Sequence, residues 1–122
     1  MQNDDAKLLV SLFLIPEDFR LKLATLAEQQ KSTGIKSSIN TLILQALKNY
    51  LDTGIKENIH PKLPDCALRA FTVRMPKSVK ANLTLCAATW QVKMGIPVSM
   101  NAVVNTSISI LLSQHFTDAL PN

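Results

Sequence analysis

Arg69-Ala70-Phe71-Thr72-Val73-Arg74-Met75-Pro76 has the pattern of a half-buried strand that ends at a proline. Phe71, Val73 and Met75 alternate with Ala70, Thr72 and Arg74, the two-residue period of a strand with one apolar face. The alternation predicts Phe71, Val73 and Met75 inward and Ala70, Thr72 and Arg74 outward. Pro76 stops the strand, since it lacks an N–H for the ladder, and its fixed φ suits the start of a helix. A second stretch of this kind, Leu8 to Ile15, ends at Pro16, sixty residues before Pro76. With Phe13 and Ile15 inward, its outward positions are Val10, Leu12 and Leu14.

The two proline junctions set a self-alignment. Phe19 then matches Val79, Leu23 matches Leu83, Leu26 matches Cys86, and Ala27 matches Ala87. With one residue inserted, Gly34-Ile35-Lys36-Ser37-Ser38-Ile39-Asn40 matches Gly95-Ile96-Pro97-Val98-Ser99-Met100-Asn101, sharing Gly-Ile-x-x-Ser-x-Asn. Apolar residues at helical spacing (Phe19, Leu23, Leu26; Val79, Leu83, Cys86, Trp90) predict one amphipathic helix after each proline. Gly34 and Gly95 suit the left-handed position that ends a helix. Ser38 and Ser99 are N-caps for second helices with apolar sides Leu42, Ile43, Ala46, Leu47, Tyr50 and Val103, Val104, Ile108, Leu111, Leu112. The second helices are expected to be the most buried. The chain divides into unit 1 (residues 1–53), a connector (54–68), unit 2 (69–117) and a tail (118–122). The connector holds Pro61, Pro64 and Gly54 and reads as irregular. From Thr53 to Leu68 the chain can extend about 50 Å, enough to bring the second strand back beside the first.

At 122 residues, 47% hydrophobic and 18% charged, the chain can bury a core. The apolar run at Leu8 is too short to span a bilayer, and an acidic start (Asp4, Asp5) is unlike a secretory leader, so a cytoplasmic, prokaryotic setting is expected. Cys66, in the connector, and Cys86, on an apolar helix face, read as free thiols. The net charge of +4 is unevenly spread. Residues 1–53 balance Lys7, Arg20, Lys22, Lys31, Lys36 and Lys48 against Asp4, Asp5, Glu17, Asp18, Glu28 and Asp52. From Cys66 to Thr117 there are Arg69, Arg74, Lys77, Lys80 and Lys93 and no carboxylate, which suits a surface that meets a polyanion. His60 and His115 have no clustered partners in a ligand spacing, so neither a metal site nor any other cofactor is expected. No phosphate-binding loop, nucleophile motif or acid/base pair points to an enzyme. Trp90, ending an apolar stripe, reads as core or rim rather than as a platform for a base.

A strand ending in proline, an amphipathic helix, a glycine turn and a second helix opened by Ser-x-Asn resemble the ribbon-helix-helix family typified by the Arc and MetJ repressors. The resemblance covers nearly the whole chain twice, and the single-chain duplication is similar to the TraY-type proteins of conjugative plasmids. It implies a mainly α fold with a short two-stranded antiparallel β-ribbon, two ribbon-helix-helix repeats forming a pseudo-dimer. It also implies double-stranded DNA as partner, with the ribbon's outward face in the major groove. Under that reading Arg74 and Thr72 contact bases, joined by Ala70 and, in the first strand, by Leu12 and Leu14. Ser38, Asn40, Lys36, Ser99, Asn101, Arg69, Lys77 and Lys80 are the phosphate candidates, four of them at helix N-termini where free amides and the dipole favour an anion.

The aliphatic outward face of the first strand leaves three readings open: packing on thymine methyls, cover by another chain, or a bulge that turns Ser11 outward. The implied function is sequence-specific DNA binding, as a transcriptional regulator or as an accessory of the plasmid-transfer relaxosome. The alternative is a protein-interaction module, antitoxin-like or adaptor, whose apolar first strand meets a toxin-like or other protein partner. A homodimer or larger assembly on DNA is also compatible with the pattern, as is strand exchange between chains.

Overall fold

β1 (Leu8–Pro16) and β2 (Leu68–Pro76) pair antiparallel in the computed structural model, which describes residues 8–116. Residues 1–7 of the expected first unit, Thr117 and the expected tail at 118–122 lie outside the described residues. The pairing runs unbroken from Leu8 opposite Pro76 to Pro16 opposite Leu68. No residue is left over, so the strand has no bulge: Ser11 lies on the inner face opposite Val73, not outward. Each strand supplies the other's hydrogen-bonding partner, which neither has alone.

The inner face carries Phe13, Ile15, Val73 and Met75, all buried, with Phe71 half-buried against them. Four helices sit beneath it: α1 (Glu17–Ser32), α2 (Ile39–Thr53), α3 (Lys77–Met94) and α4 (Met100–His115). α2 and α4 pack most extensively on one another, and α1 and α3 lean on both. The expected apolar sides of α2 and α4 are buried, and α4 adds Ala102, Asn105, Thr106 and Ser107. Trp90 is fully buried. Cys66 and Cys86 are free thiols, the first exposed; burial pushes the Cys86 thiol up, away from the reactive thiolate. Among the described residues no helix is long and apolar enough to cross a membrane.

Local chemistry sets the helix ends. α1 stops in a Schellman arrangement: Gly34, at φ 86°, donates to the Lys31 carbonyl and Ile35 to that of Gln30. α3 stops at Gly95, φ 71°. Ser38 Oγ accepts from Thr41 N and Ser99 Oγ from Ala102 N, both at 3.1 Å, so each serine caps its helix as its position predicts.

The connector is irregular but pinned. Tyr50 Oη donates to the Ile59 carbonyl, Lys62 N donates to Thr106 Oγ1 at 2.8 Å, and the His60 ring lies 5.0 Å from that of Trp90. Gly54 begins this crossing against the Tyr50 ring; a Cβ there would stand 2.5 Å from Tyr50 Cε1. The ring is buried and its hydroxyl is bonded to the Ile59 carbonyl, so displacing it works against both. Gly54→Ala is therefore expected to cost about 1–3 kcal/mol through overpacking, read as a lowered midpoint in urea unfolding. An unchanged midpoint would mean that the ring yields.

Candidate nucleic-acid interface

The outer face of the ribbon pairs Val10 with Arg74, Leu12 with Thr72 and Leu14 with Ala70. All six are exposed, as is Leu8 beyond them, and Val10 and Leu12 are 67% and 64% accessible. The face is thus a row of aliphatic side chains beside a row that is small, then polar, then cationic. A guanidinium can donate twice to guanine O6 and N7, a threonine can present a hydroxyl or a methyl, and aliphatic groups can meet thymine methyls. The expected alternation places every one of these side chains outward.

The two N-caps lie at opposite edges of this face, fixed by asparagines. Asn40 Oδ1 accepts from Arg74 N at 2.7 Å, and Asn40 Nδ2 donates to Arg74 O at 2.8 Å. At the other edge Asn101 Oδ1 accepts from Leu14 N at 3.1 Å, and Asn105 Nδ2 donates to the carbonyls of Leu14 and Asn101, both at 2.8 Å. A two-stranded ribbon has two outer edges with unpaired amides and carbonyls, and these side chains satisfy one residue's worth on each. Both clamped residues, Leu14 and Arg74, bear side chains on the outer face. Clamping therefore holds the start of α2 beside Arg74 and the start of α4 beside Leu14.

The sequence offers Asn40 and Asn101 as phosphate donors at helix starts, and it does not show this anchoring or the part Asn105 plays. The recurrence of Asn two residues after each capping serine was the available signal. Ser38 and Ser99 are exposed, with their side-chain oxygens engaged as caps, and Lys36 is exposed beside Ser38 in the chain.

Charge differs between the two edges. Near β1, Lys80 Nζ donates to Ser11 Oγ at 3.1 Å and lies 5.4 Å from the Phe13 ring centre. It shares a shallow hollow with Val10 to Phe13 and with Ser99, Met100 and Asn101 at the start of α4. Sixty residues earlier the matching position is Arg20, which hydrogen-bonds Glu17 through Nε at 3.0 Å. That bond, more than the nearby charges of Arg20 and Arg69, holds the Glu17 carboxyl below its usual range. Lys77 occupies the place of Glu17 in the second half. The β1 edge is consequently cationic, whereas at the β2 edge Arg20 is neutralised and Arg69 and Arg74 supply the charge. Both arginines are exposed, as is Lys77.

The chain matches no protein-family model, no curated protein and no solved structure.

Proposed function

We propose that the chain is a double-stranded DNA-binding protein of the ribbon-helix-helix type, a single-chain pseudo-dimer that lays the outer face of β1 and β2 in the major groove. The observation that carries this reading is the exposed pair Thr72 and Arg74, flanked at both ribbon edges by a capped helix N-terminus. Two regularities support the pseudo-dimer. Leu12 lies opposite Thr72, its own counterpart sixty residues on, and the clamp of Asn40 on Arg74 recurs as that of Asn101 on Leu14. In this arrangement Arg74 and Thr72 read base edges, and Leu12, Leu14 and Ala70 contribute apolar contacts. The amides at Ser38 and Ser99, with Lys36, Arg69, Lys77 and Lys80, meet phosphates and fix the register.

Such binding serves a transcriptional regulator or a plasmid-transfer accessory equally well, in a prokaryotic cytoplasm. A second reading is favoured by the exposed aliphatic row Leu8, Val10, Leu12 and Leu14, which also suits a protein partner of the antitoxin or adaptor kind.

Selection from a randomised duplex pool, followed by titration of the winning duplex over a salt series, separates the two. With about four phosphates neutralised, affinity is expected to fall on the order of a hundredfold between 50 and 200 mM salt. Binding that is absent, or indifferent to salt, would remove the DNA reading and leave the protein-partner one.

A further inference from the structure

α3 is apolar on two sides. Val79, Leu83, Cys86, Ala87 and Trp90 face the core. On the opposite side Ala81, Leu85, Ala88 and Val92 are exposed, Leu85 at 65% and Val92 at 84%. Their spacing of four, three and four is that of a coiled-coil seam, and exposed Ile96 continues the row just past the helix end. The fold does not demand it: the matching positions of α1 are Leu21, Thr25, Glu28 and Ser32.

Asn82 and Thr89 flank the seam on one side and Thr84 and Gln91 on the other, all uncharged. Thr84 Oγ1 donates to the Lys80 carbonyl and Thr89 Oγ1 to that of Leu85, so covering these hydroxyls strands no donor. Lys80 is turned to Ser11, and Lys93 Nζ lies 5.9 Å from the Trp90 ring centre. Between Ala81 and Val92 the seam and its flanks therefore carry no charge with which to select an acidic or a basic partner, and exposed Lys77 stands a turn before Ala81 at its start.

We propose that this seam binds the same seam of a second copy, with the two α3 helices antiparallel. Centred between Leu85 and Ala88, that arrangement sets Ala81 against Val92 of the second copy and Leu85 against its Ala88. Every large side chain then meets a small one, and the helices can close in along three turns. A parallel pair would instead oppose Leu85 to Leu85 and leave gaps between alanines. Four residues a side bury on the order of 600 Å², about half of what the smaller stable interfaces bury, so the pair is weak and forms only when the protein is concentrated. Because α1 lacks the row, assembly closes at two copies about a twofold axis and does not propagate.

Sedimentation velocity from about 10 µM to 1 mM, without DNA, tests the seam independently of any DNA affinity. Wild type is expected to move from monomer toward dimer across that range. Leu85→Glu is expected to weaken pairing at least tenfold while melting like wild type, because the side chain it replaces is exposed. Leu21→Glu, on the matching face of α1, should pair normally. A wild type that stays monomeric at 1 mM, or a dimer indifferent to Leu85→Glu, would overturn the proposal. Orientation has its own readout: in a Cys66→Ser background, Leu85→Cys and Ala88→Cys chains oxidised together should yield chiefly the mixed disulfide. A predominance of like-with-like products would rule out the antiparallel pair.

Discussion

Trp90→Ala is expected to lower the stability of the fold by about 3–5 kcal/mol, the range for removing a fully buried large aromatic side chain. The ring has no exposed surface and closes the core on the α3 side, where Leu83, Cys86 and Ala87 share its face. It also meets the His60 ring, so its loss opens a cavity and loosens the connector at the same time. Domains of this size have about 5–15 kcal/mol in reserve, so the variant should unfold at a far lower urea concentration or fail to fold. Circular dichroism is the suitable probe, since Trp90 is the chain's one tryptophan and its fluorescence disappears with the substitution. A loss under about 1 kcal/mol would show that the core collapses into the space, contrary to the packing described.

The second large effect concerns discrimination. On the proposed DNA-binding reading, Arg74→Ala is expected to weaken binding to the preferred duplex by about ten- to a hundredfold, the usual worth of one bidentate arginine–guanine contact. Binding to random duplex should change only a few-fold. The clamp makes this substitution clean: Asn40 grips the backbone N–H and carbonyl of Arg74, not its side chain, so the alanine variant keeps the ribbon edge and the start of α2 in place. Equal losses on both duplexes would instead identify Arg74 as a phosphate contact.

The strands and helix boundaries were legible because their signals are local. Alternation sorts Thr72 and Arg74 from Val73 and Met75 within five residues, and proline, glycine and capping serine act on their immediate neighbours. The clamps were not legible. Asn40 and Arg74 are 34 residues apart and Asn101 and Leu14 87 apart, and only the assembled ribbon shows which edge each helix start meets. The connector's composition predicts irregular backbone, which is present, but its hold on Tyr50, Trp90 and Thr106 was not legible because it depends on helices that pack beneath it. For α3, apolar residues at core spacing identify one buried face, and nothing in that periodicity says that Leu85 and Val92 stay uncovered on the other. Charge counting likewise located the basic excess in the second half without revealing that Glu17 silences Arg20 while Lys80 lies across Phe13.

Both strands of the ribbon belong to one polypeptide, held by a pinned connector, and this bears on how scarce the protein can be. A ribbon made by two separate chains falls apart when the protein is diluted below the dissociation constant of the pair. Here strand pairing is part of unimolecular folding, so the ribbon is as complete in a cell holding a few copies as in one holding thousands. Abundance is then free of the need to keep the fold together, and under the proposed function it can be set by the number of DNA sites alone.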